Sequence, residues 1–151
     1  MEKEGRLTVK QHRFLHDAWP HEYPLPSEKG YPEVFDLMSH WVLSYDGIAI
    51  GYTGSLDMGH FHFVGNTYIL PQYRQNGWHS YLLKVRNANL GLRPKITVLN
   101  PIDGTHMANL VKVVSGLGYR PVSSYADVRD IMSEKLFFEI LNEGQQLWRM
   151  D

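Results

Sequence analysis

The sequence predicts an α/β domain of the α+β type, with a mixed, mostly antiparallel central sheet flanked by helices. The first reason is a hairpin signal, Asp46-Gly47, which lies between two apolar segments. The second is an apolar strand stopped by Pro71 and followed by a helical pattern. In the second half of the chain a strand, a helix, a strand and a helix follow one another, which indicates a β-α-β-α crossover.

Length and composition restrict the class of protein. Residues 1–151 are expected to form a single domain, since 151 residues match the usual domain size and 43% hydrophobic residues can form a core. The net charge of -1 provides no general attraction for nucleic acid or for a membrane surface. There is no cysteine, so disulfides, thiolate metal sites and a cysteine nucleophile are excluded. Met1–Lys10 lacks the apolar core of a signal peptide, and a cytoplasmic location is therefore expected.

The sequence pattern of the first 31 residues indicates little regular secondary structure. Arg6–Lys10 alternates as a short strand does, whereas the prolines of Gln11–Tyr31 exclude any long helix, leaving at most a turn of helix around His12–Trp19. Two interpretations of this arm stay open. It can form a substrate lip, or it can wrap the surface while Trp19 and Tyr23 fill the core.

Three antiparallel strands are predicted next. Trp41–Tyr45 and Ile48–Tyr52 flank Asp46-Gly47, a pair typical of type I′ turns because both central residues need a positive φ. A second turn at Asp57–Gly59 leads into Phe61–Leu70, which is rich in aromatic and β-branched residues and is therefore predicted to be the central strand.

The crossover follows the central strand. Trp78–Leu90 is predicted to be a helix ended by Gly91, and Lys95–Leu99 a buried strand. One side of the first helix is predicted to carry Tyr81, Leu82, Val85 and Asn89. A second helix is indicated by the spacing of Met107, Leu110, Val111 and Val114, with Gly116 and Gly118 as its stop.

The tail from Tyr125 to Trp148 is ambiguous. Within it, Glu134–Leu141 fits a strand or a helix equally well.

The segment Tyr68–Leu83 is a candidate anion site, because a strand ends there and a helix begins just after Gly77. A helix N-terminus offers unpaired N–H groups and the positive end of the helix dipole, and Gly77 permits close approach of the backbone. Arg74 adds a planar fork of donors, and Ser80 can bind a ligand or the helix start. The alternative is an ordinary strand-to-helix connection with a surface arginine.

Candidate bases precede this segment. His60 and His62 are predicted on one face of the entering strand, and histidine titrates near neutral pH. Asp57 is the carboxylate alternative. The other interpretation is that His62 is a satisfied polar residue of the sheet and Asp57 a turn former. His60, His62 and His79 lack a spacing motif and a supporting carboxylate, so no metal site is predicted.

Taken together, these segments resemble the GNAT superfamily of acyl-CoA N-acyltransferases. Three motifs carry the resemblance, and they lie within Trp41–Pro121. They are Asp46-Gly47-Ile-Ala-Ile-Gly51-Tyr52, Pro71-Gln-Tyr-Arg74-Gln-Asn-Gly77-Trp-His79 and Leu117-Gly118-Tyr119. The resemblance implies direct transfer of an acetyl group from acetyl-CoA to an amine, carried by a small molecule or a protein that enters beside the arm. It also implies that the fourth and fifth strands splay apart to admit the pantetheine arm.

The resemblance also implies which residues contact the coenzyme. Backbone groups of Ile69 and Leu70 would contact the pantetheine arm or the acyl carbonyl, and the Leu70 N–H could polarise that carbonyl. The pyrophosphate would be lined by Arg74, Gln75, Asn76, Gly77, Trp78, His79 and Ser80. Homodimer formation is possible, because the tail can complete this sheet or pair with a second copy.

Two departures from the family pattern leave an alternative function open. His79 replaces a glycine or alanine in the phosphate motif, and Val114 replaces a tyrosine that protonates the leaving thiolate. Tyr119, Tyr125 and Ser115 are near Val114 in the sequence and are candidates to replace the missing tyrosine as the acid. In the family an asparagine usually opens the second helix, and the corresponding position here is Met107. Asn100 or Asn109 lies nearby and could take that place if the loop is shifted. The alternative is a catalytically degenerate GNAT-fold protein with a binding or assembly role.

Overall fold

The computed structural model describes residues 6–21, 37–99, 104–141 and 145–151. In these ranges seven strands form one sheet in the order β1-β2-β3-β4-β5-β7-β6. The strands are β1 Leu7–His12, β2 Ser39–Tyr45, β3 Ile48–Asp57, β4 His62–Ile69, β5 Lys95–Leu99, β6 Arg120–Pro121 and β7 Gln146–Met150. The α-helices are α1 Trp78–Leu90, α2 Gly104–Leu117 and α3 Glu134–Ile140.

Most strand pairs are antiparallel, as predicted. The pairs β1–β2, β2–β3, β5–β7 and β6–β7 run antiparallel, and β4–β5 is parallel. The register of the parallel pair comprises two residues of each strand, His62 with Lys95 and Phe63 with Ile96. The fold class predicted from the sequence is therefore confirmed.

The chain forms two compact units. Unit 1 comprises Met1–Leu56 and Gly65–Asn89, and unit 2 comprises Asp57–Val64 and Leu90–Asp151. None of the helices in the described ranges is long and apolar enough to cross a membrane.

The β2–β3 hairpin of unit 1 forms as the sequence predicts. Asp46 and Gly47 have φ angles of 51° and 84°, the positive values that a type I′ turn requires. Further along β3, a Cβ atom on Gly51 would collide with Ile69 Cδ1 and lie 3.0 Å from Tyr68 O. Glycine at this position therefore lets β3 approach the end of β4 closely.

The first part of the predicted arm packs into unit 1. A short 3₁₀ turn, Leu15–Asp17, stands where a turn of helix was predicted. Leu15 and Trp19 are buried with Val42, Ala49 and Tyr52. Trp19 thus fills the core, as one of the two interpretations of the arm expected, whereas Tyr23 lies outside the described residues.

The side of α1 predicted from the apolar spacing is buried at Leu82, but the prediction is wrong for Tyr81 and Asn89. The buried residues of α1 are Leu82, Leu83, Arg86 and Asn87, whereas Tyr81 is 41% exposed and Asn89 is exposed. Arg86 Nη1 donates to Thr53 Oγ1 over 2.7 Å, and Arg86 Nε donates to Asn87 Oδ1. Because polar side chains form half of the buried face, the spacing of apolar residues could not reveal it.

Unit 2 has helices on both faces of its strands. Phe137 of α3 packs with Ile96 and Leu147, while Val114 of α2 packs with Leu99 and Trp148. Leu147 and Trp148 are neighbours in β7, so their side chains point to opposite faces. The two helices therefore cover opposite faces of this part of the sheet.

The structure also decides the tail and the helix stops. Glu134–Ile140 is a helix, and the Ser133 side chain caps it by accepting from Leu136 N. Gln146–Met150 is a strand whose bounds the sequence analysis did not predict, and because it pairs with β5 the tail completes this sheet. Gly91 and Gly118 follow their helices with φ angles of 79° and 104°, as predicted, whereas Gly116 lies inside α2 and does not end it.

Candidate active site

The strand, turn and helix predicted for Tyr68–Leu83 are present in unit 1. β4 ends at Ile69, Pro71–Tyr73 forms a 3₁₀ turn, and α1 begins at Trp78. We call residues 70–80 the phosphate turn.

The phosphate turn has a positive φ on each side of Asn76, a pattern that occurs in anion-binding concavities of the backbone. Gln75 and Gly77 have φ angles of 68° and 77°, and Asn76 between them does not share the positive φ. An alternation of this kind directs successive N–H groups toward one side. The first hydrogen bond of α1 runs from Tyr81 N to Gly77 O, so the N–H groups of residues 78–80 precede the helical ladder.

Arg74 is oriented by its own chain but is not neutralised by it. Its Nε donates to Ile69 O over 2.7 Å, and the guanidinium carbon lies 5.2 Å from the ring centroid of Tyr68. Within the part of the chain that the structure describes, its two terminal nitrogens have no acceptor, and the side chain is exposed. The guanidinium therefore offers two positioned donors to an anion.

Aromatic side chains attach the phosphate turn to the β2–β3 hairpin. The Trp78 ring stacks on Tyr73 with centroids 5.8 Å apart and lies 5.2 Å from the ring of Tyr45. The Trp78 side chain thus supports the start of α1, and its contact with a pyrophosphate stays a prediction. Asn76 Nδ2 donates to the carbonyls of Tyr73 and Arg74, which also holds the turn.

The N–H of Leu70 is already bonded within the sheet. It donates to Ile50 O over 2.8 Å, and Leu70 O accepts from Tyr73 N. This contradicts the predicted role of that N–H as donor to the acyl carbonyl. Contacts of Ile69 and Leu70 with a pantetheine arm through their carbonyls stay a prediction, since a carbonyl oxygen can accept a second bond.

Sequence reasoning missed an irregularity in β4. Asn66 has a φ of 55°, and its Nδ2 donates to His40 Nε2 over 2.9 Å. Burial lowers the pKa of His40 to about 4, although the hydrogen bond of its ring with the Met38 backbone carbonyl acts in the opposite direction, so the ring is neutral at pH 7. The dipeptide Gly65-Asn66 was a signal for this feature, because both residues tolerate unusual backbone angles.

In unit 2, Asp57 is held in an exposed ion pair. Both carboxylate oxygens accept from Arg93, at 2.8 and 3.1 Å, and one also accepts from Gly59 N. The hydrogen bonds from Arg93 and Gly59 lower the pKa of Asp57 to about 2. A carboxylate with so low a pKa is a weak base, which disfavours Asp57 for proton abstraction near neutral pH.

His62 is the first residue of β4 and is buried, whereas His60 lies exposed in the preceding turn. Burial lowers the pKa of His62, and the charges of Arg93 and Lys95 act in the same direction, while Asp57 and the Leu90 backbone oppose it. Its imidazole is therefore neutral at pH 7 and able to accept a proton. The roles of His62 and Asp57 stay predictions.

The remaining candidates lie in unit 2. Val114 and Tyr119 are both buried in one apolar cluster, and Asn109 is exposed on α2. The Tyr125 hydroxyl donates to Met132 O over 2.8 Å, which gives it a structural role, and Ser115 is exposed. Tyr119 as acid and Asn109 as coenzyme contact stay predictions.

The predicted residues thus fall into two groups. The cofactor candidates from Ile69 to Ser80 form one continuous segment of unit 1, while His62, Asp57, Tyr119 and Asn109 belong to unit 2. Asn100 lies outside the described residues. Among the residues that the structure describes, no three His, Asp or Glu side chains group closely enough to hold a metal ion.

Comparison with known proteins gives structural matches only. No protein-family model and no curated protein matches the chain. An IAA acetyltransferase from Bacillus cereus has a TM-score of 0.66 at 15% identity, with 96% of this chain and 99% of that chain covered. The ribosomal-protein-S18-alanine N-acetyltransferase from Escherichia coli has a TM-score of 0.65 at 11% identity, with 96% and 93% covered.

A third solved structure contains a ligand. A GNAT family acetyltransferase from Elizabethkingia anophelis with acetyl-CoA bound has a TM-score of 0.63 at 14% identity, covering 96% of this chain and 97% of that one. At such identities the likeness is one of fold. The chain has the GNAT fold, which confirms the resemblance stated from the sequence.

Proposed function

We propose that this protein is an acyl-CoA-dependent N-acyltransferase that transfers an acetyl group from acetyl-CoA directly to an amine. The observation that carries the proposal is the phosphate turn with Arg74. Its guanidinium is fixed through Nε to Ile69 O while both terminal nitrogens remain unpaired within the described residues. The GNAT fold supports the same function, since its solved examples include acetyltransferases.

The residues present fit a pyrophosphate. The terminal nitrogens of Arg74 would donate to its oxygens, and the N–H groups before the ladder of α1 would complete the site with the positive helix end. No atom lies within 4 Å of a Cβ placed on Gly77, so the backbone there is open to a ligand. His79 is half-buried, and its side chain is the group that differs most from the family motif.

The bound donor would supply an activated thioester. The unprotonated amine attacks the carbonyl carbon, a C–N bond forms, the C–S bond breaks, and the coenzyme leaves as a thiolate. The surplus proton of the amine passes to a base, and the thiolate takes up a proton. We assign the base to His62, because its lowered pKa keeps the ring neutral at pH 7, and positioning of the reactants supplies a large share of the rate.

Calorimetric titration with acetyl-CoA tests the proposal. Arg74→Ala is expected to weaken binding by about 1.5 to 3 kcal/mol, the value of a charged hydrogen bond. Arg120→Ala is the matched control, because Arg120 is exposed, belongs to unit 2 and pairs with Asp151. Absence of wild-type binding at millimolar acetyl-CoA would overturn the proposal, and equal affinities of the two variants would place the pyrophosphate elsewhere.

The second candidate function is a GNAT-fold protein without transfer activity that serves in binding or assembly. It is favoured by Val114, which is buried among apolar side chains where the family has its acid. Release of free coenzyme A on addition of an amine panel separates the two functions. Binding of acetyl-CoA without release on any amine would support the second function.

A further inference from the structure

Unit 1 contains a cavity of about 330 Å³ away from the phosphate turn. It lies between β1, β2, the start of β3 and the 3₁₀ turn Leu15–Asp17. This volume is at the small end of ligand pockets, which suits a molecule of amino-acid size.

The wall of the cavity is partly apolar. Trp19, Val42 and Ala49 line it and are themselves buried. An apolar ligand group placed against them would leave water without displacing any core side chain.

Three ionisable side chains complete the wall. Lys10 and His12 come from alternate positions of β1, and Asp17 comes from the 3₁₀ turn. Within the described ranges none of the three forms an ion pair or a side-chain hydrogen bond. Groups of both signs, left without internal partners around one small cavity, suit a ligand that itself carries both signs.

We propose that this cavity binds the amine acceptor, and that the acceptor is a small zwitterion with an ammonium, a carboxylate and an apolar side chain. Asp17 faces the ammonium, Lys10 and His12 face the carboxylate, and Trp19 with Val42 and Ala49 holds the side chain. The role as acceptor rests on the proposed acyltransferase function. The ligand class rests on the cavity alone.

The cavity also adjoins the end of β4. Trp19, Val42 and Ala49 belong to the same packed cluster as Tyr68 and Leu70, and the rings of Trp19 and Tyr68 have centroids 6.3 Å apart. Leu70 is the residue from which the phosphate turn starts. The cavity is therefore contiguous, through this cluster, with the start of the segment assigned to the coenzyme.

Three probes separate the parts of the ligand. L-leucine carries both charges, 3-methylbutylamine keeps only the ammonium, and 4-methylpentanoate keeps only the carboxylate. Binding of each is measured by calorimetry on the full chain. L-leucine is expected to bind most tightly of the three.

Two variants assign the charges. Lys10→Met is expected to weaken L-leucine and 4-methylpentanoate about fivefold while leaving 3-methylbutylamine unchanged. Asp17→Asn is expected to weaken L-leucine and 3-methylbutylamine by a similar factor while leaving 4-methylpentanoate unchanged. Lys84→Met and Glu139→Gln are the matched controls, since both residues are exposed outside the cavity. Circular dichroism verifies that each variant is folded.

Parallel titrations with acetyl-CoA and a coenzyme A release assay with L-leucine distinguish the two possible failures. Acetyl-CoA binding without L-leucine binding at tens of millimolar, or without the charge pattern of the variants, would overturn the cavity inference and leave the proposed function standing. The expected pattern with L-leucine but no acetyl-CoA binding would overturn the proposed function and the acceptor role, while supporting the ligand class. Binding of both without release of coenzyme A would overturn the acceptor role.

Discussion

Two arginines show how the phosphate turn of unit 1 differs from the turn before β4 in unit 2. Arg74 is anchored through Nε, and its terminal nitrogens have no acceptor within the described residues. Arg93 uses the same nitrogens for both oxygens of Asp57 and for Gly59 O. The same side chain is thus prepared for an external anion in one region and satisfied internally in the other, and only the first can take up a ligand phosphate without breaking an existing pair.

The two regions also differ in how they are built. The phosphate turn is continuous in sequence, so its residues are positioned by local backbone angles. The groups around His62 come from the last residue of β3 and from the chain between the end of α1 and the start of β5. We therefore expect coenzyme binding to depend on unit 1 and turnover on unit 2.

The largest expected effect is on turnover. His62→Gln is expected to lower the rate of coenzyme A release about 10² to 10⁴-fold, the usual contribution of a general base, while acetyl-CoA affinity is unchanged. Asp57→Asn is expected to have a smaller effect, because Arg93 keeps the pKa of Asp57 at about 2. In the wild type the ascending limb of the pH–rate profile is expected below pH 6.5, because the pKa of His62 is lowered.

The exposed His60 supplies the control, and His60→Gln should leave the rate unchanged. A larger loss in Asp57→Asn than in His62→Gln would assign the base to the carboxylate instead.

The next effect is on stability at acidic pH and concerns the buried support of β4. The pKa of His40 is about 4 in the folded protein and 6.5 without burial, so folding favours the neutral ring. This stabilisation is complete above about pH 6.5 and is lost as the pH falls, with about 3 kcal/mol removed by pH 4. Urea unfolding between pH 7 and pH 4 measures it.

His40→Gln should reduce stability at pH 7 but also flatten this acid slope. Some slope will remain, because the lowered pKa of His62 acts in the same direction. An identical slope in wild type and variant would contradict the assignment to His40.

A smaller effect tests the glycine of the hairpin motif. Gly51→Ala is expected to lower the free energy of unfolding by about 2 kcal/mol, because the added Cβ meets Ile69 Cδ1 and Tyr68 O. Gly65→Ala is the matched variant on β4, where no atom lies within 4 Å of the added Cβ. Urea unfolding should show a larger loss of stability for Gly51→Ala than for Gly65→Ala. Equal losses in the two variants would contradict the explanation that Gly51 is required by the close approach of β3 to β4.

The smallest expected effect compares two glycines with nearly equal backbone angles. Gly77 and Gly91 have φ angles of 77° and 79°, and neither has an atom within 4 Å of an added Cβ. Alanine at either position should therefore cost about 1 kcal/mol of stability. Only Gly77→Ala is expected to weaken acetyl-CoA binding in calorimetry. An equal weakening by Gly91→Ala would show that the reduced affinity follows from reduced stability of the protein.

Much of the fold was predictable because its signals are local. The bounds of α1 and β5 match the prediction, since Gly91 and Pro71 punctuate the chain and the apolar pattern lies between them. The strand Gln146–Met150 was missed, because it is only five residues long and its partner β5 is far away in sequence. The Leu70 N–H was assigned a wrong role because its acceptor, Ile50 O, comes from another strand.

The sequence by itself determined the order of the elements from β1 to α2, the positive φ angles at Asp46 and Gly47, and the helix start after Gly77. These features depend on the backbone preferences of a few neighbouring residues. The tertiary structure alone decided that Arg74 is unpaired while Arg93 is not, and that Lys10, His12 and Asp17 meet at one cavity. Pairing and burial of side chains depend on which distant segments the fold brings together. The type of a residue does not indicate which distant residues it will contact.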